Sequence, residues 1–302
     1  MHFAAWRAAC WESAAKVRAC RLVLYGCPGR RPDSRAALLS LIDRAYCQAP
    51  FAVPFVLEAI GLQACSADGG GLALTLAGPD LPTSALILLH AGLGLATGRT
   101  VLRRGPGRAG TAPIERALAR IAELAHPEYA AVATEALGLY LGSFRPRLLA
   151  PALARLQEVD RQAAGFTAHG AGRAFYFRPA RLLPLPDSAW RALRQCRREI
   201  ACPELALEAE KGVIFAFVFV NLHRPQVAEA LLLRHGDEIE RLEAWLPGST
   251  AALLARAMTA PDDPGIERFL DHRPAATVAA RWRRLIADPG RAWLAALRGP
   301  SQ

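Results

Sequence analysis

The chain has 302 residues, 52% of them hydrophobic and 21% charged, with a formal net charge of +10. Disorder needs low hydrophobicity with high charge, so it is excluded, and the length suits one large domain or two of ordinary size. The positive charge is almost all arginine, scattered along the chain and interleaved with carboxylates, so a nucleic-acid surface is not expected.

The first 24 residues are nearly free of acids and carry Trp6, Trp11, Arg7, Lys16, Arg18 and Arg21. They read as an amphipathic helix that either packs on the rest of the fold or lies at a membrane surface. Gly26-Cys-Pro-Gly29 ends it, because glycine and proline break both regular periods. Asp33-Ser34 caps a helix from Arg35 to about Gln48, and Pro54 opens one to about Ala67. Asp68 to Gly71 is a break, and Leu72 to Leu76 fits a short strand or a helix fragment equally well.

Thr83 to Thr97 is expected to be helical. Gly105 to Gly110 is a linker, since no phosphate-binding Lys-Ser/Thr signature follows it. Thr111 caps a helix starting at Pro113, with Glu115 in its first turn. His126-Pro-Glu128 starts a helix to about Phe144, and Cys202-Pro-Glu204 starts one to about Leu222. Proline at the first helical position and a carboxylate beside it suit the positive helix end. Arg-Pro follows three helices, at Arg145-Pro146, Arg178-Pro179 and Arg224-Pro225. Proline disfavours helix for the residue before it and then starts the next element. Pro247 to Met258 and Pro264 to Leu270 form the last pair, and the chain from Ala275 holds capping helices.

A motif recurs along these helices: a polar residue, then glycine. It reads Glu58-Ala-Ile-Gly61, Glu135-Ala-Leu-Gly138 and His169-Gly-Ala-Gly172, with looser copies at Leu89-His90-Ala-Gly92 and Ala209-Glu210-Lys-Gly212. The glycines are 31, 46, 34 and 40 residues apart, a period typical of stacked helical units. Glycine inside a helix costs about 0.5–1 kcal/mol relative to alanine, which close packing of a neighbour would repay. The expected fold is all-α: an α-solenoid-like array of about six helix pairs. An N-terminal helix spans 1–30, the repeat domain 31–274 and capping helices 275–302.

In such an array the polar members of the motif form a ladder. Glu58, His90, Glu135 and His169, with Arg173 one turn after His169, are the candidate ligand-binding residues. Carboxylate and imidazole together can move protons near neutral pH, and Arg173 can bind an anion or pair with Glu135. The competing expectation is that these groups satisfy one another between helices. Phe175-Tyr-Phe177 and Phe215, Phe217 and Phe219 either line an apolar channel or fill the core. Cys196, among Arg194, Arg197 and Arg198, is either a thiol whose pKa the basic stretch lowers or, as expected, a structural or surface thiol.

The seven cysteines are odd in number and contain no Cys-x-x-Cys pair, which points to reduced thiols. No metal and no cofactor are expected. The apolar runs Val213 to Val220 and Ala85 to Leu89 fall short of the roughly 20 residues of a membrane span. A cytoplasmic location is the expectation.

Pro54-Phe-Val-Leu-Glu58-Ala-Ile-Gly61, Leu88-Leu-His-Ala-Gly92-Leu-Gly94, Gly170-Ala-Gly172-Arg173-Ala-Phe-Tyr-Phe177 and Lys211-Gly212 to Val220 occur in one order. In that order they resemble the glycine motifs of the UnbL-type family, bacterial proteins of unknown biochemical function found with enediyne polyketide biosynthesis genes. The clearest resemblance is the Gly-x-Gly-Arg-Ala-aromatic block, and the likeness spans roughly residues 50 to 260. It departs at Glu135 to Phe144, where the family's Gly-Tyr-Gly-Phe-His-aromatic block would place a histidine and this chain has none. The resemblance implies an accessory role in natural-product biosynthesis and brings no catalytic residues with it.

Three readings of function follow as expectations. One is a non-catalytic binding or scaffold protein for a protein partner or a hydrophobic small molecule. Another is an enzyme on a hydrophobic molecule with Glu135, His169 and Arg173 at its centre. Peripheral membrane contact through residues 1–24 is a third.

Overall fold

The computed structural model describes residues 2–26, 32–65, 76, 80–103 and 112–298. Among them every regular element is helical, so the protein is all-α. The glycine-rich stretch at 105–110, the Thr111 cap and the strand-or-helix stretch 72–75 lie outside the described residues.

In chain order the α-helices are α1 (His2–Tyr25), α2 (Arg35–Tyr46), α3 (Val53–Cys65), α4 (Thr83–Arg103), α5 (Ala112–Leu124), α6 (Ala130–Phe144), α7 (Pro146–Val159) and α8 (Arg161–Phe177). Then come α9 (Ser188–Glu199), α10 (Pro203–Asn221), α11 (Pro225–Ile239), α12 (Trp245–Thr259), α13 (Pro264–Leu270), α14 (Ala276–Trp282) and α15 (Asp288–Arg298). Caps explain several starts. Ser34 accepts from Ala37 N, Asp160 from Ala163 N and Asp263 from Gly265 N, each satisfying a backbone donor that the first turn leaves open.

The differences from the sequence reading are local. His126-Pro-Glu128 starts a short 3-10 turn, Pro127–Tyr129, before α6 begins. After Arg178-Pro179 comes another 3-10 turn, Pro179–Arg181, and the apolar Leu182 to Leu185 stays outside any helix. α4 is longer than expected. Its stretch Thr83–Leu102, which extends beyond the uninterrupted apolar run Ala85 to Leu89, is long and apolar enough to cross a membrane by length and composition. That stretch is 72% buried against the rest of the fold.

The glycine-bearing helices α3, α4, α6, α8, α10 and α12 pack on one another in chain order, and α5, α7, α9 and α11 pack outside them. The glycines are what permits this. A Cβ on Gly170 of α8 would fall on the Glu135 carbonyl oxygen of α6, and one on Gly212 of α10 would fall on the His169 carbonyl oxygen of α8. Only a residue without Cβ lets two backbones come so close.

The row turns back on its start. α12 touches α3 and α4 as well as α10, and the fully buried Arg256 of α12 reaches the Phe51 carbonyl at 3.4 Å. Phe55 of α3 meets Phe219 of α10 edge to face, centroids 5.7 Å apart. The row therefore wraps around an interior rather than presenting one long open face. α1 packs across α3, α10 and α11. The terminal segment docks through Trp245, whose ring N–H donates to the Leu285 carbonyl at 3.1 Å.

Candidate functional site

A cavity of about 480 Å³ lies inside the wrapped row. Its wall draws on the inner helices: Glu58 and Leu62 from α3, Leu95 and Arg99 from α4, Leu139 and Ser143 from α6, Arg173 and Phe177 from α8, and Phe215 and Phe219 from α10. α1 closes one side with Ala19, Cys20, Val23 and Leu24. The wall is mostly apolar, with Glu58 and Arg173 as its buried charged groups.

The glycine contacts set the polar geometry. Because Gly170 presses on the backbone of Glu135, α6 and α8 hold Glu135 and Arg173 one contact apart. Arg173 Nη1 donates to Glu135 Oε1 at 2.7 Å. His169 Nδ1 stands 3.1 Å from the same oxygen, at an angle outside hydrogen-bonding geometry. Arg173 Nη2 lies 3.9 Å from Glu58 Oε1, and its guanidinium sits over the Phe215 ring, 5.4 Å from the centroid.

These contacts drive the two carboxyls apart. Burial would raise the Glu135 carboxyl, but His169 and Arg173 outweigh it and hold the group down at about 2. Glu58 goes the other way. Burial pushes its carboxyl above the ordinary range, Arg173 opposes without cancelling the push, and the Glu135 charge adds to it. Glu58 Oε1 has no hydrogen-bond partner. For Arg173, burial works against the charge, and the two carboxylates more than restore it. The cluster thus contains an ion pair, Glu135 with Arg173, and a second carboxyl kept toward its neutral form, the pattern that separates acid and base roles in one pocket.

Of the five residues singled out by sequence, four converge here: Glu58, Glu135, His169 and Arg173. Glu58 and Arg173 line the cavity. Glu135 and His169 stand behind them, with 18% and 14% of their side-chain surface accessible. His90 is elsewhere. Its ring is fully buried, with Nδ1 2.8 Å from the Leu86 carbonyl and Nε2 accepting from His126 N at 3.1 Å. Glu210 likewise leaves the ladder and pairs with Arg197. Position in the motif explains both. Glu58, Glu135 and His169 precede their glycine by three residues, whereas His90 and Glu210 precede theirs by two. One residue is about 100° around a helix, so these side chains point away from the cluster.

The aromatic residues divide. Phe177, Phe215 and Phe219 line the cavity, while Phe175, Tyr176 and Phe217 are core. Cys196 is a buried, structural thiol: desolvation pushes it up, outweighing the nearby positive charge.

Sequence reading missed the part played by α1. Lys16 has no accessible side-chain surface. It pairs with Glu12 at 2.9 Å, donates to Ser188 Oγ, and lies over the Tyr176 ring, 3.9 Å from the centroid. Burial lowers its pKa, and Glu12 limits the drop. This anchor fixes α1 against α8 and α9, placing Cys20 and Val23 on the cavity wall. The Glu12–Lys16 spacing, i and i+4 on a helix, was the available signal.

No family model, curated protein or solved structure matches this chain.

Proposed function

We propose that this chain is a binding protein for a hydrophobic small molecule held in the central cavity. The observation that carries this reading is the cavity itself. Its volume is within the range of small-molecule sites, and its wall is apolar with a few converging polar groups. Arg173 is already neutralised by Glu135, so the inner end suits an uncharged polar group. Glu58, which lines that end, would then offer its carboxyl as the hydrogen-bond partner. A polyketide-like molecule fits this description, and the UnbL-type resemblance favours that class.

The test is equilibrium binding of a neutral fluorescent apolar probe such as N-phenyl-1-naphthylamine. One saturable site per chain supports the reading, and filling the wall with Leu139→Trp should abolish it. Absence of saturable binding to the native chain would reject it.

A second reading has one specific observation behind it. A carboxyl pushed toward its neutral form and lining an apolar cavity is equipped to protonate a bound molecule. Turnover of a bound ligand that is lost in Glu58→Gln while binding persists would establish catalysis. Equal ligand consumption by both forms would exclude it.

A further inference from the structure

The cavity wall carries two more cations, Arg99 of α4 and Arg145 at the end of α6. Unlike Arg173, neither has a carboxylate, hydrogen-bond or ring partner for its side chain among the described residues. Arg99 is exposed and Arg145, at the end of its helix, is partly accessible, whereas Glu58 is buried. Ser143, on the same wall, adds a hydroxyl.

The charged groups of the wall are then Glu58, Arg99, Arg145 and Arg173. Glu135 balances Arg173 from behind, and Glu58 is held toward neutrality. Two positive charges remain unmatched beside an otherwise apolar space. A guanidinium presents a fork that matches a carboxylate in two parallel hydrogen bonds, and partial burial beside apolar walls strengthens such contacts.

We infer that the ligand is an amphiphile with an anionic head, a carboxylate, held at the rim by Arg99 and Arg145 while its apolar body lies among Phe55, Phe215 and Phe219. The inference rests on the binding reading above and adds the head group and its orientation. A molecule entering tail first brings its apolar part to the aromatic wall and leaves its charge where water and both guanidiniums reach it. The reverse orientation would bury a carboxylate beside Glu58 and Glu135.

The experiment compares dodecanoate with dodecanol by isothermal titration calorimetry. The proteins are the native chain, the Arg99→Gln/Arg145→Gln double variant, and Arg116→Gln as a surface control. Dodecanoate should bind the native chain more tightly than dodecanol, and added salt should weaken only the acid. The double variant should lose about tenfold or more of the dodecanoate affinity, the scale of lost charge-assisted hydrogen bonds, and keep dodecanol binding and its unfolding midpoint. Equal affinity of the native chain for acid and alcohol overturns the head-group assignment and leaves the cavity reading standing. An undiminished acid affinity in the double variant does the same. Failure of both compounds to bind the native chain overturns the head-group assignment and the cavity reading together.

Discussion

At the level of single residues, Glu58 and Glu135 show how one guanidinium can set two carboxyls to opposite tasks. The folded-state pKa of Glu135, about 2, lies below its ordinary 4.5. Its contribution to stability is therefore fully present above about pH 4.5 and is lost as pH falls toward 2. Glu58 has a raised folded pKa. Its burial costs least when it is protonated, so stability falls as pH rises from about 4.5 through that raised value. Denaturant unfolding across this range should show a shallower acid limb in Glu135→Gln and a shallower decline above pH 4.5 in Glu58→Gln. Identical pH profiles for both variants and the native chain would contradict the assignment. Arg173→Met leaves the Glu135 charge buried without its partner and should cost about 3–5 kcal/mol. Adding Glu135→Gln should recover much of that loss, as a double-mutant cycle measures.

The helices owe their arrangement to small residues at defined places, and α8 contains its own control. Gly170 and Gly165 are both interior to it. A Cβ at Gly170 collides with the Glu135 backbone, whereas one at Gly165 meets only Glu208 Cγ at 3.9 Å. Gly170→Ala should destabilise by about 1–3 kcal/mol through overpacking. Gly165→Ala should stabilise by about 0.5–1 kcal/mol through helix propensity. Equal effects in urea unfolding would mean the close approach does not organise the row.

Much of this level was legible in the sequence. The recurring glycines and the Arg-Pro turns marked out α3, α6, α8 and α10. The three-residue spacing from Glu58, Glu135 and His169 to their glycines put them on the contacting face. His90 was misplaced because a motif match one residue out of phase looks the same on the page and points elsewhere on the helix. For Cys196 the sequence left two readings open, because nearby arginines in sequence say nothing of burial. Lys16 holds α1 in place, so Lys16→Met should loosen that helix. The expected readout is faster amide exchange in residues 13–24 with the exchange of α10 unchanged, and uniform exchange across both helices would argue against a local anchor.

Across the whole molecule, what the sequence could not convey was closure. Nothing in the period of the glycines shows that α12 returns to α3 and α4, because that contact joins residues 205 apart, Phe51 and Arg256. The return brings the end of the row back to its start, while the cavity wall itself is drawn from α1, α3, α4, α6, α8 and α10. Cys20 reports on that space directly. It lines the cavity, and burial, with the Glu58 charge adding to it, pushes its thiol up to about 11. Cys47 is exposed and lies outside the wall. The decisive measurement is the alkylation rate of each cysteine, followed by peptide mass spectrometry, with and without saturating dodecanol. Occupation of the cavity predicts that Cys20 is protected while Cys47 reacts at an unchanged rate. Saturable binding that leaves the Cys20 rate unaltered would place the ligand elsewhere and contradict the cavity as the functional site.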